Sequence, residues 1–138
     1  MPVNPPNPQP RRFPAALRRR AASFGYAFRG VVAALRSEIH LQFHALATVV
    51  VAGLGFYFQL SALEWALVAL AVGLVWSLEL ANTAVEAVVN LVSPEYHPLA
   101  GRAKDVAAGA VLVGAIAALV VGVLVFWPHV WVLMRAGR

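Results

Sequence analysis

The stretch that decides the fold is residues 65–90, which read WALVALAVGLVWSLELANTAVEAVVN. Its first part, Trp65–Leu78, carries no charge, whereas its second part contains two glutamates and two asparagines. As a helix, the uncharged part is ~21 Å long at ~1.5 Å per residue, which covers most of a hydrocarbon layer ~30 Å thick. The stretch therefore predicts a transmembrane helix with carboxylates at its inner end.

The four polar residues of this helix lie in register. Glu79, Asn82, Glu86 and Asn90 are spaced so that, at ~100° per residue, they share one face within about 80°. A carboxylate inside the hydrocarbon costs ~2.5 kcal/mol or more, so it is expected to face a partner or a cavity. The pattern favours a polar site. A hydrogen bond that only specifies helix assembly stays open for Glu79, and solvation at the interface stays open for Glu86.

The composition of the whole chain agrees with a membrane protein. Of its 138 residues, 61% are hydrophobic and 12% are charged, whereas soluble domains have ~45–50% apolar and ~25% charged residues. The mean hydropathy of +0.74 leaves too little polar surface to cover a soluble globule. The absence of cysteine excludes disulfides, thiolate nucleophiles and cysteine metal sites. No secretory signal is evident.

The other segments complete an all-α integral membrane architecture. Residues 1–14 are rich in proline and are predicted to be a disordered arm, followed by one domain over residues 15–138. Residues 15–37 have the pattern of an amphipathic surface helix with arginines between apolar side chains. Transmembrane helices are predicted at about residues 44–60, 64–92 and 104–127, the last of them stopped by Pro128.

The distribution of positive charge predicts the orientation in the membrane. The net charge is +5, and seven arginines precede the first span: Arg11, Arg12, Arg18, Arg19, Arg20, Arg29 and Arg36. Such an excess marks the cytoplasmic side and attracts anionic lipid head groups. The basic residues are not interleaved with aromatic residues on one soluble face, so nucleic-acid binding is not expected. No internal repeat is visible, which argues against the usual transporter design.

Other charged residues are expected on the same side as Glu86. Glu38 comes just before the first span, and Lys104 and Asp105 open the third span. A small number of carboxylate oxygens suits Mg²⁺, which keeps waters and substrate phosphates in its shell. Interfacial salt bridges, for example between Asp105 and Lys104, are the alternative. Taken alone, these residues predict a polar membrane site that faces the cytoplasm and do not name a reaction.

Four blocks of the sequence, in order and at the right distances, resemble one family. They are residues 25–30 (GYAFRG), 79–89 (ELANTAVEAVV), 93–100 (SPEYHPLA) and 103–110 (AKDVAAGA). The resemblance is to the small prokaryotic membrane lipid kinases, which comprise diacylglycerol kinase and undecaprenol kinase, and it covers about residues 17–127. It implies a homotrimeric helical bundle in the bacterial inner membrane, with active sites shared between protomers and the N-terminus in the cytoplasm.

The resemblance also implies roles for individual residues in an ATP- and Mg²⁺-dependent phosphorylation of a lipid hydroxyl. Glu79 is similar to the general base of the family, with Asn82 beside it, and Glu38 and Glu86 are similar to its magnesium ligands. The positions that match nucleotide-binding residues are Arg19, Tyr26, Glu95, Tyr96, His97, Lys104 and Asp105. No glycine-rich Walker loop is present, so Lys104 and the metal take that role. A capping role and a second acid–base role are alternatives for His97.

Two positions depart from the family pattern, and the identity of the lipid substrate stays open between two candidates. Asn90 stands where members usually carry Asp, and Gln42 stands where Arg is common. Residues 26–29, 60–65 and 93–98 look more like the undecaprenol kinase branch, so undecaprenol is favoured. The alternatives are a diacylglycerol kinase that produces phosphatidic acid and a non-enzymatic membrane assembly protein. A histidine-dependent lipid phosphatase is disfavoured because its Lys/Arg-rich phosphate motifs are missing.

Overall fold

The described part of the protein consists of four helices. The structure, a computed structural model, describes the backbone of residues 13–136 and the side chains of residue 20 and residues 22–135. The helices are α1 (Phe13–Ser37), α2 (Ile39–Tyr57), α3 (Ala62–Val92) and α4 (Pro98–Ala136). Among them, α2, α3 and α4 are long and apolar enough to cross a membrane. The predicted all-α class, with an N-terminal helix followed by three spans, is confirmed.

Helix α1 begins slightly earlier than the sequence indicated. It includes Phe13 and Pro14, which had been assigned to the arm, because proline is accommodated in the first turn of a helix, where its missing N–H has no intrahelical partner. The rest of the predicted arm, residues 1–12, lies outside the described residues. Up to Ala33, α1 forms a compact unit separate from the rest of the chain. Within that unit, Phe24, Tyr26 and Phe28 are exposed.

Helix α2 ends in a tight hydrogen-bonded turn at Gln59. The backbone N–H of Leu60 donates to Gly55 O at 3.0 Å, and that of Gln59 donates to Phe56 O at 3.2 Å. This pair of bonds is a Schellman motif, which needs a left-handed residue, and Gln59 supplies it with a φ of 53°. Leu60 then packs into the core. The turn lets α3 return along α2 within a few residues.

Helix α3 begins with a capping box. The Ser61 hydroxyl accepts a hydrogen bond from Glu64 N, and the Glu64 carboxylate accepts one from Ser61 N at 2.7 Å. The other oxygen of Glu64, Oε1, lies 2.9 Å from His129 Nε2 on α4. These contacts satisfy free N–H groups at the start of α3 and connect α3 to α4. Glu64 therefore has a structural role, since it caps α3 and connects it to α4.

The core lies at this same end of the helices. Leu60, Val68 and Val125 form its buried centre, surrounded by partly buried residues: Val51, Phe58, Trp65, Val72, Val121 and Phe126. Helix α3 contacts both α2 and α4, and its contact with α4 is the more extensive. Most large apolar side chains of α2, α3 and α4 remain exposed. Such surfaces suit lipid or another protein chain and do not suit water.

Pro128 does not stop the last helix, and this prediction was wrong. Helix α4 continues through Pro128 to Ala136. Proline removes one backbone hydrogen bond, but membrane helices tolerate it where neighbouring groups stabilise the segment. Here His129 contacts Glu64 across to α3, and the Trp127 and Trp131 rings stack with centroids 6.2 Å apart. These contacts lie on both sides of the proline and hold the helix together.

We expect Gly55→Ala to destabilise the protein. A Cβ at Gly55 would lie 2.7 Å from Trp65 Cη2 and 2.9 Å from Cζ2, and the Trp65 ring is itself packed against Phe56 at 5.0 Å between centroids. Overpacking of this kind costs about 1–3 kcal/mol. The matched control is Gly53→Ala in the same helix, since a Cβ there has no neighbour within 4 Å. Thermal unfolding in detergent micelles should rank Gly55→Ala lowest; equal melting of the two variants would contradict the packing argument.

Candidate active site

The polar face of α3 forms the centre of the candidate site. Glu79 is buried, with a residue exposure of 7%, whereas Asn82 and Glu86 are half-buried and Asn90 is exposed. Exposure thus increases along the face toward the C-terminal end of α3. Within the described side chains, Glu79 is the buried polar or charged residue of the protein. A buried carboxylate needs a specific partner to offset its lost hydration.

That partner is His44 of α2. His44 Nε2 lies 3.0 Å from Glu79 Oε1, and the two side chains are 28% and 10% exposed. From the sequence, His44 is predicted only to begin the first span, and no role is predicted for it. The signal that could have found it is the one used for Glu79, because an ionisable side chain within an apolar span marks a functional contact.

Two further hydrogen bonds hold α2 and α3 together beside this contact. Thr48 Oγ1 donates to His44 O at 2.7 Å, one turn along α2. Trp76 Nε1, from α3, donates to Thr48 Oγ1 at 3.1 Å. The hydroxyl therefore bridges the backbone beside His44 and the helix that carries Glu79. The relative position of the two helices at this level is fixed by polar contacts as well as by packing.

An apolar cavity of about 280 Å³ adjoins the contact between His44 and Glu79. His44 is one of its lining residues. The rest of the lining comes from α2, α3 and α4 and is almost wholly aliphatic or aromatic: Ala47, Thr48, Val51, Leu54, Val68, Ala71, Val72, Val75, Trp76, Ala118, Val121, Gly122 and Phe126. Such a lining accepts hydrocarbon and offers little to a polar solute.

Asn82 and Glu86 form the next part of the face. Asn82 Nδ2 donates to Glu86 Oε1 at 2.9 Å. Asn82 Oδ1 is buried and, among the described residues, has no hydrogen-bond partner. This unpaired oxygen and the free oxygen of Glu86 are donors that Mg²⁺ accepts, together with phosphate and water. No cluster of three His, Asp or Glu side chains occurs in the described part of the chain, so a magnesium ion would depend on such a mixed shell.

Glu38, the other predicted magnesium ligand, marks the break between α1 and α2. It has extended backbone angles as the N-cap of α2, and its side chain makes no capping hydrogen bond. The carboxylate instead accepts a hydrogen bond from Ser37 Oγ at 3.1 Å. Negative charge is favourable at this helix N-terminus. The sequence had placed Glu38 at the end of the amphipathic helix, which is where α1 stops.

Gln42 stabilises this break. Its side-chain Nε2 donates to Leu35 O at 3.2 Å and lies 3.5 Å from Arg36 O, both of which are terminal carbonyls of α1. The last carbonyls of a helix lack intrahelical partners, so the amide supplies what the backbone cannot. Gln42 thus provides a side-chain hydrogen-bond donor at this position.

We expect Gln42→Ala to lower the free energy of unfolding by about 1 kcal/mol, because it removes a hydrogen bond and leaves the α1 carbonyls without that donor. Gln42→Arg is the matched control, since the guanidinium also donates. Thermal unfolding in micelles should show a lower transition for Gln42→Ala and a near wild-type transition for Gln42→Arg. Equal transitions for Gln42→Ala and the wild type would show that the two hydrogen bonds do not stabilise the break.

The loop between α3 and α4 brings together four of the predicted nucleotide residues. Glu95, Tyr96, His97 and Lys104 all line a cavity of about 190 Å³, which also contacts Asn90. His97 Nδ1 accepts a hydrogen bond from Leu99 N at 3.2 Å and so caps the start of α4. Tyr96 is 90% exposed. The structure therefore shows the capping role for His97. Separately, the exposed ring of Tyr96 is accessible to a ligand.

Lys104 has a partner on the polar face of α3. Its Nζ donates to Asn90 Oδ1 at 2.7 Å. The neutral amide of Asn90 therefore positions the ammonium without neutralising its charge. Asp105 is exposed and does not line this cavity. The structure thus connects Lys104 to Asn90 and does not bring Asp105 into the same contact.

The remaining predicted nucleotide residues belong to α1. Tyr26 is exposed, and the Arg29 guanidinium lies over its ring at 4.7 Å from the centroid. This is a cation–π contact one turn apart on the helix. Arg19 is helical in backbone, but its side chain lies outside the described residues.

Comparison with known proteins identifies the family. The model of the family described as "Prokaryotic diacylglycerol kinase" matches residues 25–126. The chain belongs to the prokaryotic diacylglycerol kinase family. The resemblance drawn from four sequence blocks is thereby confirmed. The match contains α2, α3, the α3–α4 loop and most of α4, and therefore every element that carries the contacts of the polar face.

Three relatives illustrate the range of this family. The undecaprenol kinase of Bacillus subtilis (strain 168) is 46% identical over 112 residues, which cover 81% of this chain and 91% of the relative. The diacylglycerol kinase of Synechocystis sp. (strain ATCC 27184 / PCC 6803 / Kazusa) is 44% identical over 113 residues, covering 81% and 65%. The diacylglycerol kinase of Escherichia coli (strain K12) is 33% identical over 105 residues, covering 76% and 86%. As a family member, the chain is an enzyme of the lipid kinase class, and the non-enzymatic alternative loses its support.

Proposed function

We propose that the chain transfers the γ-phosphate of ATP to the hydroxyl of a membrane lipid, with Mg²⁺ as cofactor and undecaprenol as the favoured lipid. The observation that best supports this is the environment of Glu79. Its carboxylate is buried in an apolar span and contacts His44, and His44 in turn lines an apolar cavity. An alcohol attached to a hydrocarbon chain partitions into such surroundings, whereas a water-soluble alcohol does not.

The choice of undecaprenol rests on the relatives and on local sequence. The undecaprenol kinase of Bacillus subtilis is 46% identical and is covered over 91% of its length. Diacylglycerol is the second candidate, because two further relatives are diacylglycerol kinases, at 44% and 33% identity. Both lipids present a primary hydroxyl at the interface, so the same base serves either.

Glu79 acts in this proposal as the general base. One of its oxygens takes the proton of the lipid hydroxyl while the hydroxyl oxygen bonds to the γ-phosphorus of ATP. The bond from that phosphorus to the β–γ bridging oxygen breaks, and ADP leaves. Asn82, one turn further along α3, orients the base or the hydroxyl. Catalysis of phosphoryl transfer depends chiefly on positioning and charge neutralisation, and these are the contributions that fixed side chains make.

The proposed ligands of the metal and the nucleotide come from the polar face of α3, from α1 and the break after it, and from the α3–α4 loop and the start of α4. Glu86 and Glu38 hold Mg²⁺, and Asn82 Oδ1 is an additional oxygen donor because it has no partner in the described chain. When bound, the ion neutralises phosphate charge. Lys104 contacts phosphate from the cavity at the α3–α4 loop. The other nucleotide contacts are Glu95, Tyr96 and His97 of that loop, together with Asp105, Arg19 and Tyr26.

The proposed assembly is a homotrimer in the bacterial inner membrane with its N-terminus in the cytoplasm. Two observations support it. Large apolar side chains of α2 and α4 are exposed in the single chain, and the contact of α3 with α2 is much less extensive than its contact with α4. An excess of arginine near the N-terminus supports a cytoplasmic position for that end of the chain, on the side where ATP is available.

The test is transfer of labelled γ-phosphate from ATP in mixed micelles, with undecaprenol and diacylglycerol assayed side by side, each with Mg²⁺ and with EDTA. We expect Mg²⁺-dependent labelling of undecaprenol at a higher kcat/KM than diacylglycerol. Preferential labelling of diacylglycerol would replace the favoured substrate with the second candidate. Labelling of neither lipid by folded protein would overturn the proposed function.

A further inference from the structure

The contact between His44 and Glu79 joins two helices at the point where the proposed chemistry takes place. The residues are 35 positions apart in sequence, and their side chains meet at 3.0 Å. Neither the family match nor the names of the relatives assign a role to His44. The contact involves one oxygen of the carboxylate, Oε1, and leaves Oε2 for another partner.

The proposed reaction defines the direction of this hydrogen bond. A general base must begin as a carboxylate, which only accepts hydrogen bonds. A neutral imidazole can then contact Oε1 only by donating its Nε2–H. Such a donor compensates part of the lost hydration of the buried carboxylate and restricts its rotation. The same bond therefore directs Oε2 toward a hydroxyl.

The surroundings of His44 suit a side chain that holds a fixed position. Thr48 and Trp76 bridge α2 and α3 one turn away. In the cavity that His44 lines, the residues from α4 are all apolar: Ala118, Val121, Gly122 and Phe126. Glu79 of α3 is the titratable residue that contacts His44 in the described structure. The imidazole thus has a single ionisable neighbour, the base itself.

We propose that His44 is a positioning residue for the kinase reaction: it donates from Nε2 to Glu79 Oε1 and presents Oε2 to the lipid hydroxyl. This inference rests on the proposed function of Glu79 as the base. His44 is not itself required to accept or release a proton during transfer. It acts on turnover through the geometry of Glu79, and it makes no contact with the predicted nucleotide residues in the described structure.

The test compares His44→Ala, His44→Gln and the double variant His44→Ala/Glu79→Gln in the labelled-phosphate assay. We expect His44→Ala to lower kcat by about 10²-fold, the effect of a small misplacement of a reacting group, with an unchanged KM for ATP. His44→Gln should recover most of that loss, because its amide N–H can replace the Nε2–H. The double variant should be no slower than Glu79→Gln alone, since His44 acts through Glu79.

A matched control is His40→Gln, an exposed histidine one turn earlier on α2, which should keep wild-type kcat. Folding of each variant is checked by thermal unfolding in micelles. If His44→Ala does not fold, the kcat of His44→Gln alone tests the positioning role. A kcat of His44→Ala equal to wild type, or a folded His44→Gln as slow as Glu79→Gln, would overturn the positioning role alone. A double variant slower than Glu79→Gln would also overturn it. Wild-type protein that labels no lipid would overturn the proposed function and this inference with it.

Discussion

Glu79→Gln is expected to fold like the wild type and to lose about 10²–10⁴-fold in kcat, the usual contribution of a general base. The amide oxygen can still accept the hydrogen bond from His44, so the contact between α2 and α3 persists. The amide cannot take a proton from the lipid hydroxyl. The measurement is labelled γ-phosphate transfer from ATP to the lipid that the wild type prefers, on protein whose thermal unfolding in micelles matches the wild type.

The matched control for this variant lies on the same helix. Glu64→Gln removes a carboxylate of α3 that also contacts a histidine, with Glu64 Oε1 and His129 Nε2 2.9 Å apart. It lies at the capped end of α3, far from the polar face, so kcat should be unchanged. Wild-type turnover by Glu79→Gln would show that Glu79 is a structural partner of His44 and not the base.

Glu86→Gln is expected to raise the Mg²⁺ concentration for half-maximal activity by at least ~10-fold. The substitution replaces the charged side chain of a proposed ligand by a neutral amide, and even loss of a group that only supports a metal ligand costs about 10–100-fold in metal affinity or activity. The amide can keep a hydrogen bond with Asn82, so the local fold should be preserved. The measurement is kinase activity as a function of Mg²⁺ at saturating ATP and lipid.

The two substitutions on α3 should respond differently to the metal. High Mg²⁺ should restore most activity to Glu86→Gln, because that variant is expected to bind the metal ion more weakly. It should not restore activity to Glu79→Gln, which lacks the proton acceptor. An unchanged Mg²⁺ dependence in Glu86→Gln would remove Glu86 from the set of metal ligands.

The helices and the polar face could be predicted from sequence because both depend on local spacing. The three spans follow from uninterrupted apolar runs, and Glu79, Asn82 and Glu86 share a face whatever surrounds α3. The burial of Glu79 agrees with its place between the apolar half of α3 and the polar end. The grouping of Glu38 with Glu86 around Mg²⁺ stays a prediction, since they come from different segments and no observed contact joins them.

The features that could not be predicted depend on neighbours far along the chain. Helical spacing says nothing about which residue of α2 meets Glu79, so His44 was left without a role. A proline usually ends a soluble helix because it removes a backbone hydrogen bond, and on that ground α4 was expected to stop at Pro128. The helix continues through Pro128 because of the contacts of His129 and Trp131, which the sequence does not reveal. The bond from Lys104 to Asn90 crosses the α3–α4 loop and likewise required the structure.

The placement of Glu79 and Glu86 on one continuous helix has a mechanical consequence. They are seven residues apart on α3, which fixes their separation along the axis at ~10 Å. A stiff helix of this kind cannot bring the proposed base and the proposed metal ligand closer together or move them apart during turnover. Any opening that admits ATP and releases ADP has to occur in the parts around this helix. Along the described backbone, the helical conformation is interrupted at Glu38, between α1 and α2, and at residues 93–97, between α3 and α4.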